Sequence, residues 1–205
     1  RIEIRLTNGG LDYIEITDDG CGMDKKDATA AFSRHATSKI SEVNDLWQIS
    51  TMGFRGEALP SIASVSKISL TTNDGNDSTL VKVEYGKIVE AKPFGAPEGT
   101  TIKVEGLFYK TPARLKHLKS ANVELNLILD LISKMALSHP KISFELTNDE
   151  QIKIQTNGSG SLQEVIMAIY GVGVAKKCIA IDFEDYDFKL TGYIVDPAIT
   201  RATRQ

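Results

Sequence analysis

The sequence predicts an α+β fold, because stretches in which apolar and polar residues alternate are separated by stretches with helical spacing. Alternation is clearest in four predicted strands between residues 67 and 104. Helical spacing is clearest in residues 113–138. The linker-like run Asn157–Gly160 precedes one more helix and strand pair. We therefore predict a first domain of residues 1–157 and the beginning of a second domain at residues 161–205.

Composition narrows the class of protein. Of the 205 residues, 41% are apolar and 25% are charged, which is typical of a globular chain with a sizeable core. The net charge of −3 argues against a basic surface that binds nucleic acid everywhere, but it leaves room for a local basic patch. No apolar stretch is long enough to span a membrane. Cys21 and Cys178 belong to no C-x-x-C motif, which favours a reducing compartment.

Both ends of the chain point to a fragment. Arg1–Leu6 alternates like a strand from its first residue, with no initiator Met and no signal peptide before it. Arg201–Gln205 contains no terminating element. We expect segments of the protein to be missing on both sides.

The first predicted hairpin leads to a candidate binding residue. Strands at residues 1–6 and 13–17 are joined across Asn8–Gly10. The second strand runs into Asp18, followed by Gly20 and Gly22, which allow close backbone approaches. A carboxylate at a strand end is suited to accept a hydrogen bond from an exocyclic amine such as that of adenine. The alternative is an ordinary Asp-Gly turn.

A helix and a polar loop follow. The helix begins after Asp24 with a capping pattern, and it is expected to end near His35, for which we favour a structural role. Thr37, Ser38 and Lys39 then offer small or cationic donors that are able to fold over a phosphate. The alternative for this loop is a solvated linker.

A second glycine-rich segment is the strongest candidate for anion binding. Gly53 and Gly56 flank Phe54 and Arg55, and helical spacing begins immediately afterwards. The loop therefore runs into a helix N-terminus, where free backbone N–H groups and the helix dipole favour phosphate. Glu57 and Pro60 suit the first turn of that helix. The alternative is a glycine turn before an ordinary helix.

The strand block and the helix after it add two features. Thr100 opens the last strand of the block, and its hydroxyl is within reach of Asp18 if the two strands are adjacent. A single helix is predicted from about Ala113 to Ser138, where His139-Pro140 ends it. Its predicted apolar stripe consists of Val123, Leu127, Leu131 and Met135, flanked by Ile128 and Ile132. Basic residues gather at its start, as a solvated helix end or as a DNA contact: Lys110, Arg114, Lys116 and Lys119.

The remaining elements are regular. Residues 142–147 and 151–156 predict a hairpin, and Ser161–Glu164 is a capping box that opens a helix ending at Gly171. Residues 178–183 and 188–195 predict a strand pair.

Taken in order, these motifs resemble the MutL mismatch-repair family. The segments that carry the resemblance are D-D-G-C-G-M at 18–23, S-R-H-A-T-S-K-I at 33–40, G-F-R-G-E-A-L at 53–59, Gly99-Thr100 and T-P-A-R at 111–114. The two longer segments are nearly a signature of the family, and the resemblance covers essentially the whole chain. MutL belongs to the superfamily of gyrase, heat-shock chaperones, histidine kinases and MutL.

The resemblance implies a fold and a set of nucleotide contacts. The fold is a Bergerat-type two-layer mixed β-sheet with helices on one face, followed by the start of a second, α/β transducer domain. ATP would lie between helices and sheet. Asp18 would bind the adenine amine, Gly20 and Gly22 would admit the base, and Thr100 would support the adenine through Asp18. The implied lid residues are Thr37, Ser38 and Lys39. The implied phosphate-binding residues are Gly53, Arg55, Gly56, Glu57, Ala58 and Leu59.

The resemblance also implies a function for the intact protein, a slow Mg²⁺-dependent ATPase of mismatch repair. ATP would order the lid and pair two N-terminal regions, as a homodimer or a heterodimer of paralogues. The dimer would engage MutS, DNA and a nicking endonuclease, separate or in its own C-terminal domain. It would work in the bacterial cytoplasm or in a eukaryotic nucleus, and not at a membrane.

The family's catalytic residues are not expected in this chain. The Glu that activates water and the Asn that holds Mg²⁺ should lie upstream of Arg1, and the Lys that reaches the γ-phosphate should lie beyond Gln205. We therefore assign no catalytic or metal residue here, and expect these 205 residues alone to hydrolyse no ATP. Glu57 is better explained by the helix dipole than as a catalytic base.

Two other functions fit the same motifs. One is a scaffold that dimerises and binds DNA without hydrolysing ATP, which an E-x-x-x-N pattern before Arg1 would exclude. The other is a different ATPase of the superfamily, such as a topoisomerase subunit or a chaperone. The segment R-H-A-T-S-K at 34–39 argues against the second.

Overall fold

The computed structural model describes residues 1–33, 56–197 and 199. Within them, eight strands form one sheet in the order β5-β4-β3-β6-β2-β1-β7-β8. These strands are β1 (Ile2–Thr7), β2 (Tyr13–Asp18), β3 (Lys67–Asn73), β4 (Ser78–Glu84), β5 (Lys87–Pro93), β6 (Gly99–Glu105), β7 (Phe144–Asn148) and β8 (Gln151–Gln155). A separate pair comprises β9 (Cys178–Glu184) and β10 (Lys189–Val195).

The described helices complete an α+β architecture. They are α1 (Lys25–Ala30), α2 (Ala58–Ala63), α3 (Pro112–Leu115), α4 (Ala121–Ser138), α5 (Leu162–Tyr170) and α6 (Val172–Ala175). A 3-10 turn at Asn8–Gly10 joins β1 and β2. None of the helices in the described part of the chain is long and apolar enough to cross a membrane.

The large sheet is mixed, as predicted. Neighbouring strands run antiparallel except β1 and β7, which are parallel. A hairpin turn cannot connect parallel strands, so a long stretch of chain must separate β1 from β7. This stretch includes β2 to β6, and α4 is its last helix. The helices cover one face of the sheet, which is the predicted two-layer arrangement.

Two apolar clusters hold the helices on that face. One joins β1, β7 and β8 to α4 and α5, with Phe144, Leu146, Ala136 and Val165 almost fully buried. The other joins β3 and β4 to α1 and α2. Its buried members are Ala28, Ala63, Ile68, Leu70, Val81 and Val83. The buried members of the clusters lie on either side of β2 and β6, the two central strands of the sheet. Ile14 of β2 packs against the first cluster, and Ile102 and Val104 of β6 pack against the second.

The opposite face carries a polar network around Glu15. The carboxylate of Glu15 accepts a 2.6 Å hydrogen bond from the Tyr13 hydroxyl, and it pairs with Arg5 at 3.1 Å and Lys103 at 3.0 Å. Burial raises the pKa of the Glu15 carboxyl, but the hydrogen bonds from Tyr13 and Lys103 and the charges of Lys103 and Arg5 outweigh it. That pKa therefore lies below its usual range. Burial and the adjacent carboxylate raise the pKa of the Tyr13 phenol.

The long helix predicted from Ala113 to Ser138 is wrong in its first third. The chain forms the single turn α3, leaves helical geometry, and starts again as α4. Ser120 is extended, with φ −65° and ψ 153°, and its carbonyl accepts from Val123 and Glu124. The Glu124 carboxylate accepts from the Lys119 N–H at 2.9 Å, which ties the first turn of α4 to the residue before Ser120. Ser120 occupies the N-cap position without a side-chain capping hydrogen bond.

The predicted apolar stripe of α4 is also rotated. Leu127 and Leu131 are more than half exposed, whereas Ile132 and Ala136 are buried against the sheet. The buried face is thus centred one residue further along the chain, on Ile132, which was predicted at the flank of the stripe. Met135 of the predicted stripe still packs against the core.

The observed strand boundaries and two helix caps agree closely with those predicted from the sequence. Strand ends differ from their predicted positions by two residues at most. Asp24 caps α1 by accepting from the Asp27 N–H at 2.7 Å, and Ser161 caps α5 by accepting from the Glu164 N–H. Gly171 ends α5 with a φ of 87°.

One glycine sets how closely the first hairpin approaches α4. Gly9 has a φ of 66°, and a Cβ on it would lie 2.2 Å from the backbone oxygen of Ala121. Gly75 has a φ of 90° with open space around it, so it carries the left-handed backbone without the close approach. Substitutions at these two glycines therefore distinguish the cost of the left-handed backbone from the cost of the close contact.

We predict that Gly9→Ala destabilises the protein more than Gly75→Ala. The left-handed backbone alone costs about 1–2 kcal/mol, and forcing atoms into a packed contact adds about 1–3 kcal/mol. Urea denaturation of the full-length protein measures both free energies of unfolding. Equal losses for the two variants would show that hairpin and helix do not meet closely at Gly9.

Candidate functional site

The candidate site lies at one end of the central strands. Asp18 of β2 is paired with Thr100 of β6, and Thr100 is paired in turn with Thr72 of β3. Alternation along β2 places Asp18 on the same face as Ile14, which packs against the helices. The three side chains therefore form a row on the helix-covered face.

Thr72 holds this row together. Its fully buried hydroxyl donates to the Gly99 carbonyl at 3.1 Å and accepts from the Met23 N–H at 2.9 Å. The Thr100 hydroxyl lies 3.1 Å from the same oxygen. One side chain thus ties β3, β6 and the segment after β2. The adjacency that we expected of Thr100 and Asp18 holds for the strands, but the described contact of the Thr100 hydroxyl is to Thr72.

Glycines allow the backbone to converge here. A Cβ on Gly22 would lie 1.9 Å from the Asn73 carbonyl oxygen, and one on Gly99 would lie 2.1 Å from the Asp18 carbonyl oxygen. A Cβ on Gly20 would lie 2.8 Å from a carboxylate oxygen of Asp18. Gly22 is therefore needed for packing against the end of β3, and Gly20 for the turn around Asp18.

Asp18 retains an oxygen for a ligand. The Gly20 N–H donates to its Oδ1 at 2.9 Å. The described residues provide no partner for Oδ2. Asp18 is half-buried at the strand end, so this oxygen is an acceptor at the edge of the covered face.

An exposed apolar side chain lies beside Asp18. Ile16 is two residues earlier on the same strand and therefore on the same face, yet it is 43% exposed and belongs to neither core cluster. No member of either cluster covers Ile16, and we take the open surface above it, between the two clusters, as the candidate cleft.

A hollow of about 190 Å³ opens at the same strand ends. Its lining includes Asp18 and Thr100 together with Thr17, Thr71 and Thr101, whose side chains lie on the opposite face. Ligand pockets for drug-sized molecules span about 300–1,000 Å³. We therefore place the candidate site on the helix-covered face.

The second glycine segment is described only in part. Gly56 has a φ of 61°, Glu57 is the residue before α2, and Ala58 and Leu59 are its first two residues. Pro60 and Ala63 of α2 are buried. The remaining predicted contacts lie outside the described residues: Thr37, Ser38, Lys39, Gly53 and Arg55.

The described side chains of the candidate site are one carboxylate acceptor and one apolar side chain. No group of three His, Cys, Asp or Glu side chains with metal-binding geometry occurs in residues 1–33 and 56–197. Asp18 and Ile16 instead pair one acceptor with one apolar surface, which fits a flat heterocycle carrying an amine.

Two members of this arrangement were not identified from the sequence. Thr72 sits in a strand with alternating pattern, and only its pairing with β6 shows that it faces Asp18. The alternating pattern of β2 predicts that Ile16 is an ordinary inward-facing residue. No local sequence pattern identifies Thr72 or Ile16, because both roles depend on which strands become neighbours.

Solved structures with the same fold define the class of protein. The Aquifex aeolicus MutL ATPase domain complexed with ADP aligns with 89% of this chain and 64% of its own, with a TM-score of 0.67 and 25% identity. The N-terminal domain of a DNA repair protein aligns with 95% and 63%, with a TM-score of 0.77 and 26% identity. The chain thus has the ATPase-domain fold shared by gyrase, heat-shock chaperones, histidine kinases and MutL.

Sequence comparison then identifies the family. The DNA mismatch repair protein MutL of Listeria monocytogenes serotype 4a is 48% identical over 204 residues, 99% of this chain and 34% of that protein. MutL of Limosilactobacillus reuteri strain DSM 20016 is 46% identical over 207 residues, all of this chain and 31% of that protein. No family model matches the chain. The chain belongs to the MutL family, and it spans about a third of the length of these relatives.

Proposed function

We propose that this chain is the ATP-binding region of a MutL-type DNA mismatch repair protein, which in its intact form is a Mg²⁺-dependent ATPase. The observation that carries the proposal is the cleft above β2, where the free carboxylate oxygen of Asp18 stands beside the exposed Ile16. ADP bound to the Aquifex aeolicus MutL ATPase domain supports a nucleotide as the ligand.

Adenine is the base that this chemistry favours. Its exocyclic amine is a donor for the Asp18 carboxylate, and its flat apolar ring covers Ile16. The Gly20 N–H fixes the orientation of the carboxylate, and Thr72 fixes the loop that follows it. The recognition group is thus held in place before the ligand arrives.

We propose from the family resemblance that two segments bind the phosphates. Gly53 and Arg55 through Leu59 would supply amide donors at the start of α2, and Thr37, Ser38 and Lys39 would form the lid. Mg²⁺ and the general base would be held by residues beyond this chain. Hydrolysis would then depend on positioning and charge neutralisation of the γ-phosphate. A non-hydrolysing scaffold is the alternative.

The domain division and the partners are also proposals. Residues 1–157 form the nucleotide domain, and residues 161–205 begin the transducer domain, with α5 packed on the first domain through Val165. ATP would close the lid and drive pairing of two copies or two paralogues. MutS, DNA and a nicking endonuclease are the proposed partners, and the bacterial cytoplasm is the proposed location.

One segment suits the DNA partner. Residues 106–123 contain no acidic side chain, although the whole chain has a net charge of −3. Lys110, Arg114, Lys116 and Lys119 are exposed within it. Closely spaced exposed cations bind the phosphate backbone without reading sequence. We propose that this basic segment, residues 110–119, contacts duplex DNA.

Asp18→Ala in the full-length protein tests the nucleotide proposal. Removing a charged acceptor costs about 1.5–3 kcal/mol, so we expect ATP-analogue affinity to fall at least about tenfold. Inosine triphosphate carries a carbonyl in place of the amine, so the variant should also lose the preference for ATP over it. Calorimetric titration measures both.

The matched control is Asp12→Ala, which removes an exposed carboxylate away from the cleft. It should leave nucleotide affinity unchanged. Unchanged affinity and base preference in Asp18→Ala would overturn the adenine assignment.

The basic segment is tested by salt dependence. Each phosphate contact contributes about −0.9 to the slope of log affinity against log salt. We expect Lys116→Gln/Lys119→Gln to weaken duplex binding uniformly across sequences and to flatten that slope by about 1–2. Lys153→Gln on β8 is the control. An unchanged slope in the double variant would exclude these lysines from the interface.

A further inference from the structure

Two aromatic residues adopt backbone angles that are unfavourable for them. Tyr85 has a φ of 48°, and Phe108 has a φ of 62°. Left-handed geometry is common for glycine and tolerated by asparagine, but for a bulky residue it is an outlier that the surrounding structure must enforce. Such residues cluster at functional positions.

Tyr85 lies in a hairpin turn in which tyrosine is an unusual residue. Tyr85 and Gly86 are the two residues between β4 and β5, and both have positive φ, as a type I′ turn requires. Asn-Gly is the pair that such a turn favours most. Tyrosine at this position goes against the local preference, and such departures from local rules are expected at functional sites.

Both strained residues are anchored to the same place. The Tyr85 N–H donates to the Ser66 carbonyl at 3.0 Å, and the Phe108 N–H donates to the Val65 carbonyl at 2.8 Å. Ser66 is fully buried, and its hydroxyl donates to the Ile62 carbonyl of α2 at 2.7 Å. The end of α2 therefore fixes both residues on the core.

Both rings also carry a cation from the basic segment. The Lys110 ammonium lies 3.8 Å from the centroid of the Tyr85 ring, and the Arg114 guanidinium carbon lies 5.2 Å from that of the Phe108 ring. These distances are within the cation–π range. The two rings thus hold the first two cations of a segment that otherwise projects into solvent.

We propose that Tyr85 and Phe108 are positioning residues, which present Lys110 and Arg114 to the phosphate backbone of duplex DNA. Long cationic side chains lose rotamer entropy when they bind, and a side chain already held on a ring loses less. The ring covers one side of the cation and leaves the other side for a phosphate oxygen. This inference rests on the proposed DNA contact of the basic segment.

Substitution by asparagine separates this role from a structural one. Tyr85→Asn and Phe108→Asn remove the ring while relieving the left-handed strain. We expect each variant of the full-length protein to bind a short duplex about twofold to fivefold more weakly, because a cation that no ring holds must be immobilised when it binds. The thermal unfolding midpoint should stay equal or rise. Tyr85→Phe keeps the ring and should bind like the wild type.

A double-mutant cycle tests whether Tyr85 acts through Lys110. In a Lys110→Gln background, Tyr85→Asn should weaken duplex binding no further. If the two effects add, or if affinity and unfolding midpoint fall together, the ring has only a structural role and the inference is overturned.

Two further variants distinguish this inference from the proposal that the basic segment contacts duplex DNA. If Lys110→Gln/Arg114→Gln leaves duplex affinity unchanged, these two cations do not contact DNA and both proposals fail for them. If that variant weakens binding while Tyr85→Asn and Phe108→Asn do not, the contact stands and the positioning role alone is wrong.

Discussion

The candidate site depends on the two hydrogen bonds of the Thr72 hydroxyl. This hydroxyl accepts from the Met23 N–H and donates to the Gly99 carbonyl, so a single buried oxygen joins three segments that are far apart in sequence. An unpaired polar group at this depth would cost free energy, which forces the three segments to meet. Their meeting defines the position of Asp18 and the path of the chain after β2.

The cleft itself follows from how the core is divided. One apolar cluster packs over β1 and β7 and the other over β3 and β4, and the central strand β2 lies between them with Ile16 exposed. A continuous core would have buried Ile16 and left no space for a base. The division therefore leaves space for the candidate site near the centre of the sheet.

Much of this arrangement was predictable from local pattern. Period-two alternation located the strands, and an Asp followed by two glycines located the candidate recognition residue. The break before α4 was missed because apolar spacing continues through Leu115 and Leu118, although the backbone is extended at Ser120 and a new helix begins at Ala121. The role of Thr72 was not predictable, because it depends on β3 pairing with β6, two strands that are not consecutive in sequence.

The most direct measurement compares nucleotide affinity in Thr72→Val and Thr72→Ser. Valine keeps the shape of threonine and removes the hydroxyl, whereas serine keeps the hydroxyl. If the hydroxyl holds the floor of the cleft, the valine variant binds an ATP analogue about tenfold more weakly, and the serine variant binds nearly like the wild type. Wild-type affinity in Thr72→Val would contradict the account.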